Sequence, residues 1–183
     1  MYSDNKKSIT TFSIKALYRA FILGTRKGGK KMQLNTQHFG TIPIDESAIL
    51  YFEEGIPGFQ ECKRYVLLGQ EEESPFCWLQ CVDKGDLAFA LVDPTSIYPN
   101  YEPKVSKEQL IRLGEITEES LLVYSIVTVP ENIQAMTANL MAPVIIHIHT
   151  KKGMQLITEG QEYPLRYKIF EVFQSDTKGD CSC

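Results

Sequence analysis

Phe52-Glu53-Glu54-Gly55-Ile56-Pro57-Gly58-Phe59 places two glycines, one proline and two acids between two aromatics. Pro57 fixes its own φ and pushes Ile56 towards extended geometry, while Gly55 and Gly58 permit positive φ, so the stretch is neither helix nor regular strand. On one side lies Ala48-Ile49-Leu50-Tyr51, on the other Arg64-Tyr65-Val66-Leu67-Leu68. Both flanks have the β-branched, aromatic and large apolar composition of strands. The stretch is therefore a shaped turn between strands, carrying the apolar groups Ile56 and Phe59. Turn chemistry leaves two readings open: a packed corner of a β fold, or a recognition loop held by a β scaffold.

Outward from this loop the same punctuation recurs. Met32-Gln33-Leu34-Asn35 is strand-like, and His38–Ile44, Ile49–Phe52, Tyr65–Leu68 and Phe76–Val82 read as strands separated by short polar turns. Glu71-Glu72-Glu73 beside Pro75 reads as a solvated charge run. Asp83-Lys84-Gly85-Asp86 is a hairpin-type turn. Leu87–Val92 is nearly all apolar and predicts a central strand, stopped by Asp93-Pro94. A second shaped loop follows, in which Tyr98-Pro99-Asn100-Tyr101-Glu102-Pro103 is stiff and aromatic. Only one helix has start and stop signals: Ser106 with Gln109 in a capping-box pattern, Leu110, Ile111 and Leu113 as its apolar side, and Gly114 at its end. Leu121–Val129 predicts a long strand ended by Pro130. Thr137–His149 is strand-like with Pro143 at an edge or bulge, Met154–Thr158 follows a turn, and Tyr163–Phe173 gives conflicting strand and helix signals. Eight to ten strands, one short helix and hairpin-length connections predict a mainly β, single-domain antiparallel barrel-like or sandwich fold.

With 183 residues the chain has enough material for one domain with a real core. Its net charge of −4 hides an asymmetry. Of 19 Lys+Arg and 23 Asp+Glu, eight bases and one acid fall in residues 1–31, leaving eleven bases and twenty-two acids in 32–183. The amino-terminal stretch is thus +7 and the remainder −11. An acidic body repels phosphate backbones, which argues against direct nucleic-acid binding and suits either a basic protein partner or solubility. Cys77 and Cys81 lie four apart in a predicted strand, about 13 Å, too far for a disulfide. Cys181 and Cys183 supply two thiolates, too few for a structural zinc site. The cysteines read as reduced and cytoplasmic.

Residues 1–31 differ from the rest. Ile14–Leu23 is a short basic amphipathic run, poor as a secretory signal because Arg19 interrupts it and short for a membrane-surface helix. Gly24–Lys31 approaches a phosphate-binding loop, but Lys31 stands where Ser or Thr would hold Mg²⁺, and a strand-like segment follows instead of a helix. Arg26-Lys27-Gly28-Gly29-Lys30-Lys31 is also what a purine-rich ribosome-binding site and spacer yield when translated in frame. The expected organisation is residues 1–31 as a basic extension, either disordered or upstream of a natural start at Met32, 32–173 as the β domain, and 174–183 as a tail.

Little here suggests chemistry. His147 and His149 would face one side of a strand about 6–7 Å apart, but no third ligand accompanies them, and no nucleophile elbow or dinucleotide fingerprint occurs. No catalytic residue, metal or cofactor is expected. Aromatic, proline-stiffened loops on an acidic body suit protein recognition, since aromatic anchors supply binding energy and rigid loops lose less entropy on docking. The alternatives are a small-ligand- or flavin-binding β-barrel protein, or a membrane module using Ile14–Leu23.

Three motifs in order, Phe52…Gly55-Ile56-Pro57-Gly58-Phe59, then Leu87-x-Phe89 leading to Asp93-Pro94…Tyr98-Pro99-x-Tyr101, then Thr137-x-Asn139-Leu140-x-Ala142-Pro143-Val144-x-Ile146, resemble the FliW family of flagellar assembly factors. The likeness runs from about Met32 to Leu165, with one departure at His147, where the family usually has Asn. The resemblance implies a cytoplasmic partner switch without catalysis. FliW-like proteins bind CsrA, a dimeric RNA-binding translational repressor, and so relieve repression of flagellin mRNA; newly made flagellin takes FliW away. They act on CsrA away from its RNA-binding surface. On this basis partner contacts are expected at Ile56, Pro57 and Phe59 of the first loop and Asp93, Tyr98 and Tyr101 of the second, with Asn139 holding local backbone and Glu53 and Glu54 assisting. The same residues could instead build the fold.

Overall fold

The structure is a computed structural model that describes residues 6–8, 29–69, 74–117, 119–160 and 162–176. Ile14–Leu23, Glu71–Glu73, Cys181 and Cys183 lie outside the described residues.

The strands in chain order are β1 (Lys6–Ser8), β2 (Lys31–Thr36), β3 (Gly40–Asp45), β4 (Leu50–Tyr51), β5 (Arg64–Leu68), β6 (Phe76–Cys81) and β7 (Ala88–Val92). A single helical turn, α1 (Pro94–Ile97), then β8 (Lys104–Ser106) and α2 (Lys107–Ile111) lead to β9 (Leu121–Thr128). The chain continues through β10 (Thr137–Ala138), β11 (Val144–His147), β12 (Gly153–Gln155), β13 (Tyr167–Lys168) and α3 (Phe170–Asp176). The main sheet runs β12-β11-β9-β7-β6-β5-β4, and every pairing in it is antiparallel. β10 pairs with β9 and β13, and β2 with β3 form a separate hairpin. The two ends of the main path meet at one point, a parallel bridge between Tyr51 and Lys152 with the Tyr51 N–H donating to the Lys151 carbonyl at 2.7 Å. One bridge does not close a barrel; the architecture is an antiparallel, sandwich-like β fold with short helices.

Along β9 and β11 the period of two separates two of the three cores. Leu122 and Tyr124 of β9, with Val144 and Ile146 of β11, join Leu50, Phe52, Tyr65 and Leu79 in one cluster. Leu121, Val123 and Val127 of β9, with Ile145 of β11, join Ile97, Tyr101, Val105 and Leu110 in the other. Covered on both faces, β9 and β11 read in the sequence as continuous apolar runs. β7 is central as expected, between β6 and β9. Cys62, Cys77 and Cys81 are buried free thiols; burial pushes the Cys77 thiol up to about 12.

Several expectations are corrected. Asp93-Pro94, read as a strand stop before a loop, is a helix start: the Asp93 carboxylate accepts the Thr95 N–H at 2.9 Å and Pro94 takes the first helical position. Ser106 stands at the N-cap of α2 but makes no side-chain cap bond, so the capping box does not form. Leu110 and Leu113 are buried, whereas Ile111 is 70% exposed, because adjacent residues on a helix do not share a face. Thr137–His149 is two strands, broken at residues 139–143. Tyr163–Phe173 holds both a strand and a helix, which is why its signals conflict. β2 begins at Lys31, and Lys6–Ser8 pair with β8.

Candidate functional site

The loop between β4 and β5 is built by its own sequence. Phe52 is fully buried, edge-on to Tyr65 at 5.0 Å. Gly55 at φ +72 returns its N–H to the Phe52 carbonyl at 3.0 Å. Ile56-Pro57-Gly58-Phe59 closes through the Phe59 N–H to the Ile56 carbonyl at 2.7 Å, with Gly58 at φ +89. Proline at the second position and a positive-φ glycine at the third are the marks of a type II turn. Ile56 is buried at 2% exposure, and Phe59 is half-buried, edge-on to Phe89 of β7 at 5.2 Å. What the loop offers solvent is Glu53, Glu54, Pro57, Gly58, Gln60, Glu61 and the free side of Phe59.

Two bases from distant elements hold the acids. Lys152, just before β12, reaches a Glu53 carboxylate oxygen at 2.7 Å, and Arg112, just after α2, reaches Glu54 at 2.7 Å and Glu53 at 4.0 Å. The hydrogen bond and charge of Lys152 hold the Glu53 carboxyl below the usual range. Exposed pairs of this kind stabilise little; their effect here is to fix geometry. They also leave Glu53 and Glu54 neutralised within the molecule. Beside them a groove of about 180 Å³ runs between Pro57 and Gln60 of the loop, Gln109 and Arg112, and Met154 and Gln155 of β12. Sequence reasoning missed Arg112, Lys152 and this far wall, because nothing local in residues 109–112 or 152–155 signals that they meet residues 53–60.

The second loop is stapled into the opposite core. Tyr101 is 1% exposed and donates from its hydroxyl to the Leu140 carbonyl at 2.7 Å; burial raises its phenol above the ordinary range. Tyr98 is half-buried, edge-on to Tyr163 at 5.6 Å and to Tyr167 at 5.4 Å. Asn139 accepts the Ala142 N–H at 2.9 Å, holding the turn between β10 and β11. The structure therefore does not gather the nine candidates into one patch. Ile56 and Tyr101 are buried, Asp93 and Asn139 are half-buried and hold backbone N–H groups, and Glu53, Glu54, Pro57, Phe59 and, on the other face, Tyr98 keep accessible surface.

With this geometry in view, the sequence matches the FliW protein family over residues 33–169. The chain belongs to the FliW family. It is 42% identical over 141 residues to the flagellar assembly factor FliW of Caldanaerobacter subterraneus subsp. tengcongensis, covering 76% of this chain and 94% of that one. It is 40% identical over 156 residues to that of Lachnoclostridium phytofermentans, covering 82% and 100%. A crystal structure of a flagellar assembly factor FliW superposes with a TM-score of 0.70 at 37% identity, covering 76% of this chain and 97% of the other.

His147 is 3% exposed at the end of β11. Its Nδ1 accepts the N–H groups of His149 and Thr150, each at 3.3 Å. Two donors on Nδ1 require the proton on Nε2, which then donates to the Glu115 carbonyl at 2.9 Å. Accepting backbone N–H groups two and three residues on is what an Asn carboxamide does in such a turn. Both ring nitrogens are used internally, although the His149 ring stands 5.8 Å away. Among the described residues no group of three His, Cys, Asp or Glu is placed to hold a metal.

Proposed function

We propose that this FliW-family chain is a flagellar assembly factor that works by being occupied: it binds a CsrA-type repressor, relieving repression of flagellin mRNA, and gives it up to newly made flagellin. The reading includes no catalytic step, no cofactor, no direct contact with nucleic acid or membrane, and a cytoplasmic setting, with residues 32–173 as the working unit. The observation that carries it is the β4–β5 loop, a type II turn with a buried stem and an exposed Pro57-Gly58 tip, locked by Arg112 and Lys152 against a groove. A preorganised tip beside a groove loses little entropy on docking. At about 180 Å³ the groove admits one or two partner side chains, and it is smaller than the ~300 Å³ and upwards of a drug-sized ligand site. No helix among the described residues is long and apolar enough to cross a membrane.

In this proposal Glu53, Glu54, Pro57 and Phe59 touch a partner, with Tyr98 as a separate contact, while Ile56, Asp93, Tyr101 and Asn139 position them. Phe59→Ala removes half of an edge-on ring pair and the apolar wall behind the tip. It is expected to fold, with a loss of about 1–2 kcal/mol for a half-buried aromatic, and to weaken binding to purified CsrA or flagellin at least tenfold by calorimetry. Unchanged binding to both by the folded variant rejects the loop as a contact surface. The −11 of residues 32–183 further predicts that CsrA affinity falls as salt rises.

A further inference from the structure

β8 is three residues long, and among the described residues it pairs with one strand only, β1, from the far amino-terminal end of the chain. The register is antiparallel, Lys6 opposite Ser106, Lys7 opposite Val105, and Ser8 opposite Lys104. The Val105 side chain is fully buried in the second core, so β8 is anchored from its side-chain face. One of its backbone edges is engaged elsewhere: the Lys104 carbonyl accepts the Glu159 N–H at 2.7 Å. Successive residues of a strand direct their N–H and C=O groups to opposite edges. Lys104 thus faces the loop at residue 159, and Val105 turns its N–H and C=O to the other edge, where Lys7 sits.

Among the described residues no other strand pairs with that edge, and strand edges recruit extended chains. We propose that β8 is a strand-addition site, an edge that accepts an extended polypeptide segment in antiparallel register through the Val105 backbone, and that Lys6–Ser8 occupy it in cis. The site lies on a different element from the β4–β5 loop and does not depend on the partner exchange proposed above. Its ligand is a stretch of three or more extended residues able to exchange backbone hydrogen bonds at its centre, as strand-addition sites generally take. A tethered occupant competes at an effective concentration of about millimolar, so external segments bind only when the cis strand is released.

The test uses the full chain and the variant Lys7→Pro, which removes the N–H facing Val105. The probe is a fluorescent peptide spanning residues 3–12, followed by anisotropy. The expected result is saturable binding to Lys7→Pro, at least ~tenfold weaker binding to the unmodified chain, and none by the same peptide with proline in place of Lys7. Amide hydrogen exchange is read in parallel: the Val105 amide is expected to be protected in the unmodified chain and exposed in Lys7→Pro, with β7 and β9 protected in both. An unprotected Val105 amide in the unmodified chain overturns the proposal. So does a folded Lys7→Pro that ignores the peptide, or equal binding of the peptide to both chains.

Discussion

At the scale of single residues, two side chains in the β11–β12 turn show how local chemistry is spent. His147 serves as an acceptor for two backbone N–H groups and a donor to a third segment. His147→Asn keeps an acceptor near the same point and is expected to cost less than about 1 kcal/mol, whereas His147→Ala strands buried polar groups at about 1–3 kcal/mol each. Urea unfolding of the two variants checks this; equal losses would contradict the acceptor role. Lys151 sits at φ +60 and burial pulls its ammonium down to about 8. An unfolded chain keeps that proton to about pH 10.4, so between about 8 and 10.4 the unfolded state binds more protons and stability rises with pH. Below that window the half-buried charge is a constant cost. Lys151→Gly removes the charge and the left-handed strain of about 1 kcal/mol. It is expected to raise the unfolding midpoint at pH 7 and to flatten the rise above pH 8; a lower midpoint would contradict both points.

At the scale of elements, the β4–β5 loop is where sequence and structure agree most closely. Gly-Ile-Pro-Gly encodes its own turn, because proline and positive-φ glycine fix backbone without help from the rest of the chain. The same locality made β5, β6, β7 and β9 legible from composition and punctuation. The loop's lock was not legible, because Arg112 and Lys152 reach Glu53 and Glu54 from 58 and 99 positions away, a pairing that only the fold creates. Nor was the split between contact and stem: Ile56 and Pro57 are neighbours in sequence, yet one is buried and the other exposed. α1 was missed for a related reason, since a helix of four residues presents too little length for an apolar period to show, whereas Ser106 and Gly114 made α2 legible at its ends. Gly55→Ala tests the loop as a unit. A Cβ there would sit 2.7 Å from the Gln60 Cα and 2.8 Å from the Phe59 carbonyl oxygen, at φ +72. The expected cost is above about 2 kcal/mol, from left-handed strain of about 1–2 kcal/mol with overpacking against backbone added to it, and partner binding should fall with it. A variant of unchanged stability would mean the loop is looser than described.

At the scale of the whole molecule, a sandwich-like sheet with a core on each face gives two separate rigid surfaces. One carries the β4–β5 tip and the other carries Tyr98. The proposed exchange of protein partners calls for rigid surfaces more than for a pocket, and the excess of eleven acids in residues 32–183 favours the approach of a basic partner. The acidic excess was plain from the sequence, but its distribution was not: Glu53 and Glu54 are already paired inside the molecule, so long-range steering falls to the other carboxylates. The most direct test of partner exchange is a displacement titration: a preformed complex of the full chain with labelled CsrA, to which purified monomeric flagellin is added while the label's anisotropy is followed. The proposal predicts that CsrA is released to completion as flagellin reaches equivalence. A stable three-component complex, or a CsrA signal that flagellin does not change, would contradict it.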